Sequence, residues 1–262
     1  MQLLKLDDLI RVGRNYDGGY VISESLMKRS SALLSFGIND DWSFEEDFYR
    51  KSGVGCYGFD FSVNRGLFLK RSFEQIRYFF GDLLKRRTLQ WDRWKNAREH
   101  FHLYNEFGRF FGRHHSFHSI GIDKSTHDTF KTLDDILKDY VRQKENIFLK
   151  IDIEGYEYKI LDDVLKNRQR FHALAMEIHG IHHTDNNFQG FMAGLAQDFY
   201  VYHLHANNYS GLRKENGMPD VIEISCIRKD LVHDPVFYRD LSHLPLAGID
   251  FPNDLNSADF TW

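Results

Sequence analysis

The sequence predicts an α/β fold with a mostly parallel sheet, on the basis of three features. Apolar stretches of strand length alternate with stretches whose apolar residues recur every three or four positions, as in helices. The stretch "IFLKIDIEGYEYKIL" (147–161) runs an apolar strand into two carboxylates and a glycine, as at the open end of a sheet where ligands bind. The chain has 262 residues, 42% of them hydrophobic and 27% charged, which suffices for one sizeable core.

Seven strands and four helices are expected in order. The strands are 32–37, 54–60, 117–122, 147–153, 173–180, 200–208 and 220–229, and the helices are 43–50, 133–141, 160–165 and 191–199. Ser43 and Glu46 have the spacing of a capping box. The last two strands follow each other without a helix, so the final strand should be antiparallel. This ending suits a Rossmann-like methyltransferase sheet better than a dinucleotide-binding one.

Residues 64–116 interrupt the alternation. They hold twelve Lys or Arg against five Asp or Glu, interleaved with aromatic residues. We expect a helical insertion within a single domain that spans 1–262. Three roles would explain this composition. The insertion could be a solvated subdomain, form a contact between copies in a homo-oligomer, or bind an anionic substrate group through Arg86 and Arg87. Nucleic acid is not an expected partner, because the whole chain is acidic and has no recognition motif.

The chain shows no targeting or membrane-spanning pattern, which predicts a cytoplasmic protein. Charged residues interrupt the N-terminal segment, and no apolar run reaches transmembrane length. The net charge near −4 gives no global attraction to nucleic acid or an anionic membrane. Cys56 and Cys226 lie in strand-like stretches and are interpreted as buried, reduced thiols.

The turn after the first strand, "FGINDDWSFEE", indicates the charge of the ligand. A dinucleotide site needs several glycines and a helix N-terminus open to pyrophosphate, whereas this turn has Gly37 followed by Asp40 and Asp41. Such a turn would repel pyrophosphate and suits a ligand that carries positive charge. S-adenosylmethionine does so through its sulfonium and amino groups. Ordinary helix-capping acids are the alternative, and they explain residues 43–47 but not the single glycine.

Two further positions fit a nucleoside-containing cofactor. Asp60 ends the second strand, where an acid accepts hydrogen bonds from ribose hydroxyls in either cofactor class. Phe59 or Phe61 could flank the adenosine, with core packing as the alternative. Gly18 and Gly19, in "NYDGGYVI", form either a tight hairpin turn or part of the cofactor rim.

Polar residues end three later strands and form a candidate catalytic cluster. They are Asp152 and Glu154, then Glu177 and His179, then His205, Asn207 and Asn208. Such a cluster could bind substrate hydroxyls, hold a divalent metal such as Mg²⁺ or Mn²⁺, or place a general base beside a nucleophilic oxygen. We expect His179 to be the base, with His205 as second choice. The acids would orient substrate or coordinate metal, and the asparagines would contact substrate.

The ordered set of motifs resembles the FkbM-type family of S-adenosylmethionine-dependent methyltransferases over roughly residues 11 to 230. The motifs are "RNYDGGYVI", "LSFGINDDWSFEEDF", "YGFD", "LKIDIEGYEYKIL", "AMEIHG", "LHANN" and "PDVIEISCIRKD". The resemblance implies methyl transfer to an oxygen, often on a sugar or a natural-product scaffold. Gly37 and Asp60 match the cofactor motifs, and Asp152, Glu154 and Glu177 match the acidic strand ends. The insertion is longer than the family leads us to expect.

The sequence therefore predicts an O-methyltransferase that uses S-adenosylmethionine and acts on a sugar hydroxyl of a small-molecule or glycan acceptor. A nicotinamide-dependent sugar oxidoreductase or epimerase is one alternative, and "GINDDW" argues against its phosphate loop. A non-catalytic protein that keeps the fold for binding is the other. It would tolerate loss of Asp60 or of the strand-end acids, yet these residues are present.

Overall fold

The computed structural model describes residues 2–84, 90–112, 115–183, 187–210 and 217–262. The strands are β1 (Leu9–Val12), β2 (Tyr20–Ser23), β3 (Ala32–Phe36), β4 (Cys56–Phe59), β5 (Ser116–His118), β6 (Gly121–Ile122), β7 (Phe130–Lys131), β8 (Ile147–Ile151), β9 (Phe171–Ile178), β10 (Phe199–Ala206) and β11 (Ile222–Arg228). The helices are α1 (Glu24–Arg29), α2 (Ser43–Ser52), α3 (Arg65–Leu84), α4 (Trp91–Phe110), α5 (Leu133–Ile136), α6 (Glu157–Lys166) and α7 (Phe188–Asp198). A π-helical turn, Leu137–Val141, continues α5.

Within these ranges the central sheet has seven strands in the order β10-β11-β9-β8-β3-β4-β5. All neighbours from β9 to β5 are parallel, whereas β11 is antiparallel to both β9 and β10. The predicted Rossmann-like fold class and its antiparallel final strand are therefore confirmed. The strand order reverses between β3 and β8, and in sheets of this type the crevice at that reversal is where ligands bind.

The sheet is covered on both faces. One face packs on α5, α6 and α7 through residues such as Leu149, Ile160 and Leu195. The other packs on α1, α2 and the β1–β2 hairpin through residues such as Phe48 and Phe148. Strand β8 is buried along its whole length, which explains why all its residues except Lys150 are apolar.

Two local expectations were wrong. Helix α2 begins at Ser43, and the preceding Trp42 has no capping side chain, because Asp41 accepts the Ser43 N–H instead (3.0 Å). The expected strand 117–122 is divided into β5 and β6. The chain turns between them, where Ile120 donates to the His118 carbonyl, and β6 then pairs with β7 in a separate small sheet.

Helices α3 and α4 form a hairpin between β4 and β5, which confirms that the insertion is helical. Phe68, Phe107 and Phe110 at its base pack with Ile38 and Trp42 of the main body. Arg86 and Arg87 lie outside the described residues. Of the helices in the described ranges, none combines the length and the apolar character that a membrane span requires.

Candidate active site

A cavity of about 530 Å³ lies at the carboxyl ends of β3, β4, β8 and β9. The predicted site residues that line it are Gly18, Gly37, Asp40, Phe59, Asp60, Asp152, Glu154, Glu177, His179 and Asn207. Gly19, His205 and Asn208 are not part of its lining. The lining holds seven acidic side chains against Arg14 and Lys150, so the cavity suits a ligand with positive charge.

Gly37 is required by the approach of two strand ends. Its φ is +77°, and a Cβ atom there would lie 1.6 Å from the backbone oxygen of Asp152. No other residue fits at the junction of β3 and β8. We expected Gly37 to leave room for a cofactor. In the structure its missing side chain leaves room for the backbone of Asp152, and both residues line the cavity.

Asp60 ties the ends of β3 and β4 together. One carboxylate oxygen accepts from the backbone N–H groups of Ile38 and Asn39 (2.9 and 2.8 Å). The other accepts from the N–H and hydroxyl of Ser62 (2.7 and 2.6 Å). A carboxylate offers about four acceptor positions, so these donors fill it. To accept from a ribose hydroxyl, Asp60 would exchange one of them, and the Ser62 hydroxyl is the one that can rotate away.

We expect Asp60→Ala to weaken binding of S-adenosylhomocysteine by about 1.5–3 kcal/mol, because a hydrogen bond to a charged group is lost. Isothermal titration calorimetry measures the change. Ser62→Ala is the matched control, since it frees an acceptor position and should leave affinity equal or higher. Equal loss in both variants would show that the Asp60–Ser62 contact, and not a ribose contact, matters for binding.

The aromatic residues near Asp60 have different surroundings. Phe59 is 1% exposed, and its ring packs on Phe36 and stacks on His118. Phe61 is 56% exposed and lies against Phe130 (ring centroids 4.8 Å apart) at the cavity. Phe61 is thus the freer of the two to flank an adenine, and Phe59 belongs mainly to the core.

The expected glycine turn is only partly as predicted. Gly18 has a φ of +85° and faces Asp41 at the cavity, but Gly19 is not in the positive-φ region. A Cβ atom on Gly19 would lie 2.0 Å from the carbonyl oxygen of Arg14, so this glycine serves the close packing of the loop.

His179 is the centre of the acidic end of the cavity. Its Nε2 lies 3.6 Å from Glu154, 3.9 Å from Glu177 and 4.0 Å from Asp152. Burial alone would lower the pKa of His179, but the hydrogen bond to Glu157 and the surrounding carboxylates outweigh burial and raise it. The imidazole is therefore a stronger base than an ordinary histidine.

Glu157 orients His179, and sequence reasoning missed it. Its Oε1 accepts from His179 Nδ1 (3.1 Å) and from the backbone N–H groups of Ile153 and Gly155 (3.1 and 3.2 Å). The same turn holds Glu154 at a φ of +54°, a strained conformation for a non-glycine residue. With Nδ1 donating to Glu157, neutral His179 presents its Nε2 lone pair to the cavity.

Glu177 is a carboxyl group that readily holds a proton. Burial, followed by the charges of Asp152 and Glu223, raises its pKa well above the ordinary value. Asn207 donates from its side-chain nitrogen to Glu177 Oε1 (2.8 Å). The structure thus brings Glu177, His179 and Asn207 together at one end of the cavity.

Lys150 and Tyr20 fix the remaining polar groups, and sequence reasoning missed both. Lys150 Nζ donates to the Gly37 carbonyl (2.8 Å) and lies 3.8 Å from Glu45 and 3.7 Å from Asp152. The Tyr20 hydroxyl donates to Asp152 Oδ2 (3.0 Å). A charged residue inside an otherwise apolar strand is a sequence signal for Lys150, whereas nothing local points to Tyr20.

His205 and Asn208 face the C-terminal segment. His205 Nε2 lies 3.1 Å from Asp259, and Nδ1 lies 3.5 Å from Glu223. Burial would lower the pKa of His205, but its bonds to these acids raise it to about 10. Asn208 donates to the carbonyl oxygen of Asp254 (3.0 Å). As a buried cation at neutral pH, His205 is poorly suited to accept a proton.

A family model described as the methyltransferase FkbM domain matches residues 24–210. No curated protein matches the chain.

Several solved structures are distantly similar to the chain. A putative tRNA methyltransferase from Streptococcus pneumoniae, in complex with S-adenosyl-L-methionine, is 10% identical over 78% of this chain and 69% of its own (TM-score 0.37). The fibrillarin pre-rRNA processing protein of Methanococcus jannaschii is 12% identical over 77% of this chain and 68% of its own (TM-score 0.37). An rRNA methylase from Streptococcus thermophilus is 10% identical over 78% of this chain and 93% of its own (TM-score 0.36). Likenesses this distant say nothing about the acceptor.

The sheet order and the cavity at its reversal define a Rossmann-like fold with a ligand site at the switch point, and the matching family model makes it a methyltransferase. The chain belongs to the methyltransferase FkbM family, whose model matches well over half of its length. This membership selects S-adenosylmethionine over the nicotinamide alternative.

Proposed function

We propose that the protein methylates a hydroxyl group of a carbohydrate acceptor. The observation that carries the proposal is the setting of His179, whose Nε2 faces the cavity among carboxylates while Glu157 holds Nδ1. S-adenosylmethionine supplies the methyl group, which the acceptor oxygen takes from the sulfonium sulfur in one displacement. His179 accepts the proton that the hydroxyl releases as it attacks. The acidic lining stabilises positive charge, and the fixed side chains align the reactants.

The mouth of the cavity supports a sugar as the acceptor. Tyr16, Tyr156 and Tyr209 line it and are 38%, 39% and 65% exposed. Aromatic rings at a rim suit the apolar C–H face of a sugar, while a few placed polar groups fix its orientation. Charged or polar cavity residues stand within two positions of each ring in the sequence: Arg14 and Asp17 beside Tyr16, Glu154 beside Tyr156, and Asn207 beside Tyr209. An acceptor with one apolar face and several hydroxyls matches this combination.

The direct test is transfer of a labelled methyl group from S-adenosylmethionine to a panel of free sugars, nucleotide sugars and oligosaccharides. We expect label in an acid-stable O-methyl sugar, identified by mass spectrometry after hydrolysis. Tyr209→Ala should raise KM for that acceptor and leave the affinity for S-adenosylhomocysteine unchanged. Label that appears only on nitrogen or carboxyl groups of other acceptors would refute the proposal that the enzyme methylates a sugar hydroxyl.

A divalent metal is a second way to activate the hydroxyl, and one cluster favours it. Asp152, Glu154 and His179 each offer a ligand atom within 4.8 Å of the others. Carboxylates with one imidazole suit Mg²⁺ or Mn²⁺, and a ligating histidine usually donates its other N–H to a carboxylate, as His179 does to Glu157. A bound ion would acidify the acceptor hydroxyl. His179 would then serve as a ligand and could not take the proton.

Chelation separates the two mechanisms. If His179 is the base, we expect treatment with EDTA followed by gel filtration to leave kcat within about twofold of its starting value, against the 10²-fold or greater loss typical of a removed catalytic group. Loss of activity that Mg²⁺ or Mn²⁺ restores would assign Asp152, Glu154 and His179 to a metal. Binding of Mn²⁺ measured by electron paramagnetic resonance, with Glu154→Gln as the comparison, provides a readout that does not depend on turnover.

A further inference from the structure

The hairpin of α3 and α4 carries most of the exposed apolar side chains that the structure describes. Eight of fifteen large hydrophobic residues with high exposure lie on it: Phe73, Tyr78, Phe80, Leu83, Leu84, Trp91, Trp94 and Phe101. Leu84 is 85% exposed and Trp91 is 68% exposed. Such a concentration on one element marks an interaction surface.

These residues form stripes on the two helices. On α3, the apolar residues Phe73, Ile76, Phe80 and Leu83 follow at spacings of three and four. On α4, Trp91, Trp94 and Phe101 share one face with the cation Arg98. A groove of about 390 Å³ lies between the helices, and Phe73, Ile76, Trp94 and Phe101 line it. The two stripes therefore meet on one side of the hairpin.

An aromatic cluster packs the C-terminal part of α3 against the start of α4. The ring of Phe79 is 8% exposed and lies 5.5 Å from Trp91, 5.7 Å from Trp94 and 5.8 Å from Phe80 between ring centroids. Arg93 pairs with Asp82 (3.3 Å). The exposed rings are thus held in place by buried contacts, and substitution at the outermost positions should leave the hairpin folded.

The charge of the insertion is opposite to that of the rest of the chain. Residues 64–116 hold twelve Lys or Arg against five Asp or Glu, while the remainder holds 22 against 33. Helices α3 and α4 alone carry eight basic and five acidic residues. The overall net charge of −4 conceals a basic, aromatic element on an acidic body.

We propose that this face of the hairpin binds the surface of a membrane that contains anionic lipid. Helices that lie in the lipid interface combine Trp, Phe and Leu on one face with Lys and Arg beside them. A symmetric contact between the hairpins of two copies fits less well, because both would bring the same excess of positive charge. Nucleic acid would use the rings and the cations but gives no role to Leu83 and Leu84, which cannot stack on bases in the way that aromatic rings do.

Vesicle co-sedimentation tests the proposal with the full chain. We expect binding to vesicles of phosphatidylcholine with phosphatidylglycerol, weaker binding to phosphatidylcholine alone, and weakening by salt. Leu84→Asp and Trp91→Asp should each lower the partition coefficient about tenfold or more, because they remove apolar area from the interface and add negative charge. Leu255→Asp, at a leucine that is 64% exposed in the C-terminal segment, is the matched control and should bind as the unaltered protein does.

Three results would overturn the proposal. The first is failure of the unaltered protein to bind the anionic vesicles. The second is an equal loss of binding in Leu84→Asp and Leu255→Asp. The third is a dimer that Leu84→Asp converts to a monomer in sedimentation velocity while vesicle binding is unchanged, which would assign this face to a second copy of the chain.

Discussion

Replacing His179 by alanine is expected to lower kcat by about 10²- to 10⁴-fold, the range that a general base contributes. The reason is that Nε2 is the basic atom held toward the cavity, with Glu157 fixing the tautomer. Affinity for S-adenosylhomocysteine, measured by calorimetry, should stay within about twofold, because a base adds little to ground-state binding. His183→Ala is the matched control, since His183 is exposed in the following loop and absent from the cavity lining.

The pH profile gives the same assignment a second readout. Because the pKa of His179 is raised, its imidazole becomes protonated and inactive as the pH falls through a value above the usual 6.5. We expect the acid limb of kcat to lie above pH 6.5 and to disappear in His179→Gly, with partial rescue of turnover by added imidazole.

Unaltered turnover in His179→Ala would show that the strand-end cluster is structural. A comparable loss in His205→Ala, with His179→Ala active, would move the base from the end of β9 to β10, two strands away in the sheet. That second outcome would also require the C-terminal segment to leave His205, which Asp259 now holds.

Much of the fold follows from local sequence patterns. The run 147–151 is apolar apart from Lys150 because β8 is buried between neighbours, and the carboxylates come after it because the strand ends at the cavity. The acidic turn after Gly37 also lies where the pattern indicated. These predictions hold because strand period and burial depend on residues next to one another in the chain.

The rest depends on contacts between distant residues. Alternation along β10 places His205 on a face of the sheet, but it does not show that Asp259 returns to pair with it. Tyr20 is 132 positions from Asp152, whose carboxylate its hydroxyl fixes. The capping box failed for a local reason instead, since Asp41, two positions before Ser43, accepts the Ser43 N–H. No pattern in one segment reports the contacts that a distant segment makes with it.

Replacing Lys150 by methionine is expected to destabilise the protein by about 3–5 kcal/mol, the usual result of removing one partner from a buried ion pair. Burial alone would lower the pKa of Lys150, but Glu45 and Asp152 outweigh it and raise the pKa, so the ammonium is the form the fold holds. Methionine keeps the length of the side chain. It leaves the Gly37 carbonyl without its donor and leaves Glu45, which is fully buried, without a cation.

The loss of stability in Lys150→Met should depend on whether the carboxyl group of Glu45 is charged. Burial raises the pKa of Glu45 even with Lys150 present, so without the lysine Glu45 takes up a proton more readily. Lower pH supplies that proton, and the difference between the variant and the unaltered protein should therefore shrink as the pH falls. The free energy of unfolding from urea titrations at several pH values measures this dependence.

A double variant separates the ion pair from the packing. Glu45→Gln keeps an acceptor for the Ser35 hydroxyl, which donates to Glu45 Oε1 (2.5 Å), and removes the buried charge. We expect Lys150→Met with Glu45→Gln to recover more than half of the loss, because an uncompensated charge costs more than a neutral pair. Lys28→Met, which breaks an exposed pair with Glu24, should cost only about 0.3–0.5 kcal/mol. If Lys150→Met costs no more than Lys28→Met, the buried lysine does not hold the Gly37 loop, and the bonds from Ile38 and Asn39 to Asp60 would then be what holds it.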